Sequence, residues 1–184
     1  HKNILYIVSE DWYFLSHRLS LALEASKRGY SVHVLCKDTG KINEIRSYGF
    51  NCYELISNRS RTSIWSLCRE VINIRSVIKN LKPSIIHLVA FRSILLGLLS
   101  MLSNRKTIII VSVTGLGSIF LSKSIKVKFF KVLIICFLFI NFKKNNIKII
   151  VQNKDDYNFF LYKLRCKFSK IFIVRGSGVN INHF

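Results

Sequence analysis

Acidic side chains are scarce in this sequence: nine Asp and Glu stand against 29 Lys and Arg, for a formal net charge of +20. None falls between Glu70 and Asp155, a stretch that carries fourteen Lys or Arg. A field of that sign attracts polyanions, which leaves nucleic acid, an anionic membrane surface or a phosphorylated substrate as partner classes. A codon bias toward Lys, Asn and Ile is the bland source of the same charge. Proline is nearly absent, with one in 184 residues, and half the chain is apolar. That composition excludes Pro-rich, collagen-like and disordered chains. The five cysteines are odd in number and form no C-x-x-C pair, so neither a disulfide framework nor a zinc site is suggested, and a reducing cytoplasm is expected. No cleavable signal pattern opens the chain, where Lys2 leads straight into an apolar run. The most apolar stretch, 127–142, falls short of the ~20 residues that a spanning helix needs.

What remains is a chain long enough for one domain around a single sheet. Apolar β-branched runs alternate with longer amphipathic segments, the pattern of βαβ units and a parallel sheet. Strands are expected near 3–8, 31–36, 51–55, 84–89, 107–113, 148–151 and 170–174, and helices near 15–28, 42–48, 64–81, 93–102, 125–141 and 154–164. The fold class is therefore α/β, with about seven parallel strands and helices on both faces. Gly29 is placed to end the first helix. Asn153 is placed to cap the last, with Asp155 and Asp156 complementing its dipole. The 125–141 segment reads either as a crossover helix or as a surface helix resting on anionic lipid. Lys123, Lys126, Lys128 and Lys131 lead into it, and Lys143 and Lys144 follow it.

In an open parallel sheet, binding groups collect at the carboxyl ends of the strands. The first such loop, Ser9-Glu10-Asp11-Trp12-Tyr13-Phe14-Leu15-Ser16-His17-Arg18, is charged and aromatic, which suits either a cleft lining or a capped helix with solvated His17 and Arg18. The fifth is Val113-Thr114-Gly115-Leu116-Gly117, where small residues let backbone N–H groups approach an anion. It is a poor dinucleotide fingerprint, because it does not follow the first strand and no acidic residue lies about twenty positions on. The chain ends on Arg175-Gly176-Ser177-Gly178, again a basic residue with glycines after a strand.

Taken together, "NILYIVSEDWYFLSHRLSLALEASKRGYSVHVL", "KPSIIHLVAFRSILLG", "VSVTGLGSIF", "IIVQNKDDYNFF" and "IFIVRGSGVNINHF" resemble the N-terminal half of bacterial glycosyltransferase family 4 enzymes. They are most similar to the branch that extends undecaprenyl-diphosphate-linked glycans for O-antigen, capsule or glycoprotein assembly. The resemblance runs from Lys2 to Phe184. It implies a GT-B architecture, with two Rossmann-like domains across a cleft, of which 1–174 would be the acceptor-side domain and 175–184 the interdomain linker. The family's Glu-x7-Glu donor element belongs to the second domain, and no two glutamates here are eight apart. Thr114 stands where many members carry a histidine, and Asn180 stands where they carry an aspartate.

The implied activity is retaining transfer of a hexosyl or N-acetylhexosaminyl unit from a nucleotide-sugar to a polyprenyl-diphosphate-linked glycan, with no further cofactor and no metal. The place implied is the cytoplasmic side, peripheral on the inner face of the bacterial inner membrane. Asp11, His17, Arg18, Arg92, Thr114 and Gly115 are expected to face the acceptor cleft, and Arg175, Gly176, Ser177 and Gly178 the donor side. No catalytic group is assigned, and the chain alone is expected to be inactive. The rival is a membrane-associated subunit that recruits a separate catalytic partner. Nucleic-acid binding is disfavoured, because the basic residues are mostly lysines spread over many elements rather than arginines interleaved with aromatics on one face.

Overall fold

A computed structural model describes residues 2–56, 64–101, 107–114 and 125–176, the side chains of 125–132 excepted. Seven parallel strands form one sheet: β1 Lys2–Glu10, β2 Tyr30–Lys37, β3 Asn51–Glu54, β4 Ile85–Val89, β5 Ile108–Val113, β6 Ile147–Val151 and β7 Ile171–Ile173. The order across the sheet is β3-β2-β1-β4-β5-β6-β7, with every pair parallel. The helices are α1 Asp11–His17, α2 Leu19–Lys27, α3 Ile42–Ser47, α4 Ile64–Leu81, α5 Phe91–Ser100, α6 Ile125–Phe142 and α7 Lys154–Asn158. The α/β class and the seven-stranded sheet are as expected from the sequence.

Both faces of the central strands are buried, which is why they read as near-continuous apolar runs. Side chains alternate across a strand. Leu5 and Ile7 therefore join Ile86, Leu88, Val111 and Ile149 in one core with Ile74 and Ile78 of α4, Ile94 of α5 and Leu138 and Phe142 of α6. Ile4, Tyr6 and Val8 join Val32, Val34 and Cys36 in a second core with Phe14, Ala22 and Ile45. The topology accounts for the division. The chain steps outward from β1 to β3, then crosses back to β4 and continues to β7. Right-handed crossovers place α1–α3 on one face and the later helices on the other. On the first face, Ile108 of β5 and Phe172 of β7 remain 47% and 48% exposed.

Local departures from expectation have local causes. The first helix begins at Asp11 rather than Leu15 and breaks at Arg18, whose φ of −130° and ψ of −10° are not helical. Beyond α7 the coil widens into a π turn over Phe159–Lys163, with Phe160 and Leu164 in the first core. Gly29 ends α2 at a φ of +81°, as a glycine after a helix should. Asn153 caps α7 by accepting the Asp156 N–H at 2.7 Å. Lys170 is buried, and its Nζ donates to the carbonyls of Lys143 and Lys144 at 3.1 and 2.8 Å, placing a cation at the carbonyl end of α6.

Gly97 explains how closely α5 rides on β4. A Cβ there would lie 2.5 Å from Cδ2 of fully buried Leu88. Gly97→Val is expected to destabilise the domain by about 1–3 kcal/mol through overpacking, read as a lower urea midpoint. An unchanged midpoint would show that Leu88 rotates out of the way.

Candidate acceptor site

The strand order reverses direction between β1 and β4, and in sheets of this kind ligands sit at the carboxyl edge of that switch point. A small depression lies there, lined by Ile7 and Ser9 of β1, Lys37 of β2, Leu55, Ile74 of α4, and Arg92, Ser93 and Leu96 of α5. Arg92 is the residue of the expected set that this depression holds. Its Nη2 donates to Oε1 and Oε2 of Glu70 at 2.6 and 2.9 Å. Glu70 is fully buried on α4, while about a third of the Arg92 side chain stays exposed. The guanidinium thus neutralises a carboxylate inside while presenting an edge to the depression. Ala90, which leads into α5, holds φ +67° and ψ 155°. That region is normally reserved for glycine and costs on the order of 1–3 kcal/mol. Such strain recurs at functional turns.

Asp11 lies at the same edge but is turned inward. It is fully buried, and its carboxylate accepts the N–H groups of Trp12, Thr39 and Lys41 at 2.7, 2.8 and 2.7 Å, together with the Thr39 hydroxyl. Burial alone would raise its pKa, but these hydrogen bonds outweigh burial and hold it below the ordinary carboxylate value. Asp11 therefore fixes the loop between β2 and α3 beside the depression, and its oxygens face that loop rather than the cleft.

His17 closes α1. It stacks on Tyr13 with ring centroids 4.4 Å apart, and its Nδ1 lies 2.6 Å from the Ser16 hydroxyl. Arg18 is neither solvated nor in the depression. It is 8% exposed, its Nη1 donates to the His17 carbonyl at 2.9 Å, and burial lowers its pKa. The solvated Arg18 that the capped-helix reading required is corrected by this placement: the helix break at that residue turns the side chain under the loop. Thr114 follows β5, half-buried. Arg175 and Gly176 are exposed past β7. Gly115, Ser177, Gly178 and Lys123 lie outside the described residues, as do the side chains of Lys126, Lys128 and Lys131. Lys143 sits over the Phe139 ring at 4.1 Å, and Lys144 donates to Asn141 Oδ1 at 2.8 Å, so both are tied to the end of α6.

A polar group beneath the loop escaped the sequence reading. His87 of β4 is buried against the Tyr6 ring, with its Nε2 2.7 Å from Ser112 Oγ. Burial, aided by the Arg18 charge, pushes its pKa down to about 3. The available signal was a histidine in the middle of the aliphatic run Ile85-Ile86-His87-Leu88-Val89. Glu70 was likewise legible as a carboxylate at an inward position, one and two turns before Ile74 and Ile78. Lys37 carried no signal beyond ending a strand. Among the described residues, no cluster of three or more His, Cys, Asp or Glu is arranged to hold a metal ion. No described helix is long and apolar enough to cross a membrane.

A family model described as glycosyl transferase 4-like matches residues 3–154. Among solved structures, a glycosyltransferase from Rickettsia africae superposes with a TM-score of 0.69 at 14% identity, over 99% of this chain and 44% of its own. MurG from Acinetobacter baumannii gives 0.61 at 10% identity, over 100% and 48%. The UDP complex of MnaA from S. aureus gives 0.66 at 15% identity, over 96% and 46%. At these identities the likeness shows the fold, the Rossmann-like N-terminal half of a GT-B architecture. The chain spans less than half the length of each of the three. No curated protein matches the sequence.

Proposed function

The chain belongs to the glycosyl transferase 4-like family, and from that premise we propose that it is the acceptor-side domain of a two-domain retaining glycosyltransferase. The donor is a nucleotide-sugar, and the acceptor is a glycan carried on a polyprenyl diphosphate at the inner face of the bacterial inner membrane. Residues 1–174 form this domain and 175–184 lead to a second domain that supplies the donor-diphosphate groups. The observation that carries the reading is the depression at the switch point, rimmed by Lys37 and Arg92 at the carboxyl edge of the sheet. Cations at that edge suit an anionic diphosphate headgroup, and the excess of basic residues over the whole chain raises its local concentration. The UDP held by S. aureus MnaA supports a nucleotide-sugar donor. Asp11 positions the loop at this edge and the buried Arg18 supports it from inside, while His17, Thr114 and Gly115 belong to the wider acceptor surface and Arg175–Gly178 to the donor side.

The test separates folding from activity. The chain alone is expected to unfold cooperatively, bind no nucleotide-sugar by calorimetry and transfer nothing. Fused ahead of a donor-binding domain of the same family, it gains both donor binding and transfer. Micromolar donor affinity in the chain alone would reverse the assignment of the two halves. In the fused enzyme His17→Ala should lower turnover by about tenfold with a nearly unchanged thermal midpoint, since the stacking on Tyr13 that it also removes lies outside both cores.

A further inference from the structure

Helix α4 presents the wrong residues to water. Its inward side is set by Glu70, Ile74 and Ile78. An amphipathic helix of a soluble domain carries charged and polar residues opposite that stripe. At about 100° per residue, the outward line of α4 instead runs through Trp65, Ile72 and Ser76. Trp65 is 80% exposed, Ile72 65%, and Ile64 at the start of the helix 79%. Arg69, Arg75 and Lys79 are exposed around that line, and the one acid of α4 is the buried Glu70. Two other helices on the same side of the sheet add protruding apolar residues, Leu99 on α5 and Ile140 on α6. Single exposed apolar residues are ordinary on a protein surface. An outward tryptophan and isoleucine about 10 Å apart along one helix, ringed by cations without an exposed acid, form a pattern.

We propose that the outer face of α4 rests on an anionic lipid bilayer. Trp65 and Ile72 enter the boundary between headgroups and acyl chains, where an indole is well placed. Arg69, Arg75 and Lys79 take the lipid phosphates. Charge complementarity selects this occupant: an outward face with three cations and no acid suits a uniformly anionic plane. Its cations are distinct from the lysines around α6. The inference rests on the proposed function for its purpose, delivery of the depression to a lipid-borne acceptor, but its test uses no sugar transfer.

Trp12 and Trp65 are the two tryptophans of the chain, so Trp12→Phe leaves Trp65 as the sole indole reporter. With vesicles of mixed phosphatidylcholine and phosphatidylglycerol, Trp65 emission is expected to shift to the blue and to be quenched by brominated acyl chains. High salt should reverse both changes, and vesicles of phosphatidylcholine alone should produce neither. The double variants R69E/R75E and W65S/I72S, both in surface residues, should each lower the vesicle partition coefficient by about tenfold or more with unchanged circular dichroism. Unshifted Trp65 emission on anionic vesicles overturns the proposal. So does loss of binding in K143E/K144E but not in the α4 variants, and so does a doubled mass without lipid that W65S/I72S abolishes, which assigns the face to a second copy. Indifference to vesicles in a chain that transfers sugar once fused sinks this inference alone, whereas vesicle binding by a fused enzyme that transfers nothing sinks the functional reading alone.

Discussion

Between pH 6.5 and pH 4 the domain is expected to lose on the order of 3 kcal/mol of stability through His87. In the unfolded chain a histidine takes up its proton near pH 6.5. In the fold, burial against Tyr6 and Ser112 and the nearby Arg18 charge postpone that uptake to about pH 3. The unfolded state therefore binds the extra proton throughout this window. Stability is fully present above pH 6.5 and falls with pH at up to about 1.4 kcal/mol per pH unit until the folded value is reached. His33, also lowered by burial, contributes with the same sign. Asp11, held below the ordinary carboxylate value, begins to contribute only below about pH 5, which keeps the part of the window above it diagnostic. Urea unfolding of the parent and of His87→Gln at pH 7, 6, 5 and 4 is the measurement. The variant should start less stable at pH 7 and show less than half the parent's slope. Equal slopes would mean that His87 is already charged in the fold.

The strands were legible because burial on both faces writes itself as uninterrupted aliphatic runs, and the α4 boundaries because its stripe is long and regular. The start of α1 was not legible. Its first residue is a carboxylate, and only the tertiary approach of Thr39 and Lys41 makes a buried Asp11 favourable. The same limit applies to the site. Arg92 could be picked out as a cation after a strand, but Glu70 lies 22 positions earlier, and their pairing depends on how α4 packs against α5. His17 and Arg18, adjacent in sequence and read together, part company, the first half-buried on Tyr13 and the second buried, because the helix breaks at Arg18. Ser9, Lys37 and Ser93 meet at the depression through strand order alone, which local patterns do not encode.

Arg92→Ala is expected to destabilise the domain by about 3 kcal/mol, the lower end of the range for stripping the partner from a buried charge. Glu70 is fully buried, and both of its oxygens are satisfied by one nitrogen of Arg92. Without the guanidinium a carboxylate remains inside the α4–α5 contact. The effect falls at the lower end because the Arg92 side chain is about one-third exposed, so water can reach part of the space it vacates. Replacing both members by apolar residues, Glu70→Met with Arg92→Met, should restore most of the loss, since the pair is costly to halve but not to remove. A double-mutant cycle by urea unfolding reads the coupling directly. A coupling below about 0.5 kcal/mol would show that the pair is dispensable to the fold. The same variants then separate stability from acceptor recognition in the fused enzyme. If the exposed edge of Arg92 holds an acceptor diphosphate, the double methionine variant regains its thermal midpoint but not its KM for the lipid-diphosphate acceptor, and a recovered KM would confine Arg92 to the helix contact.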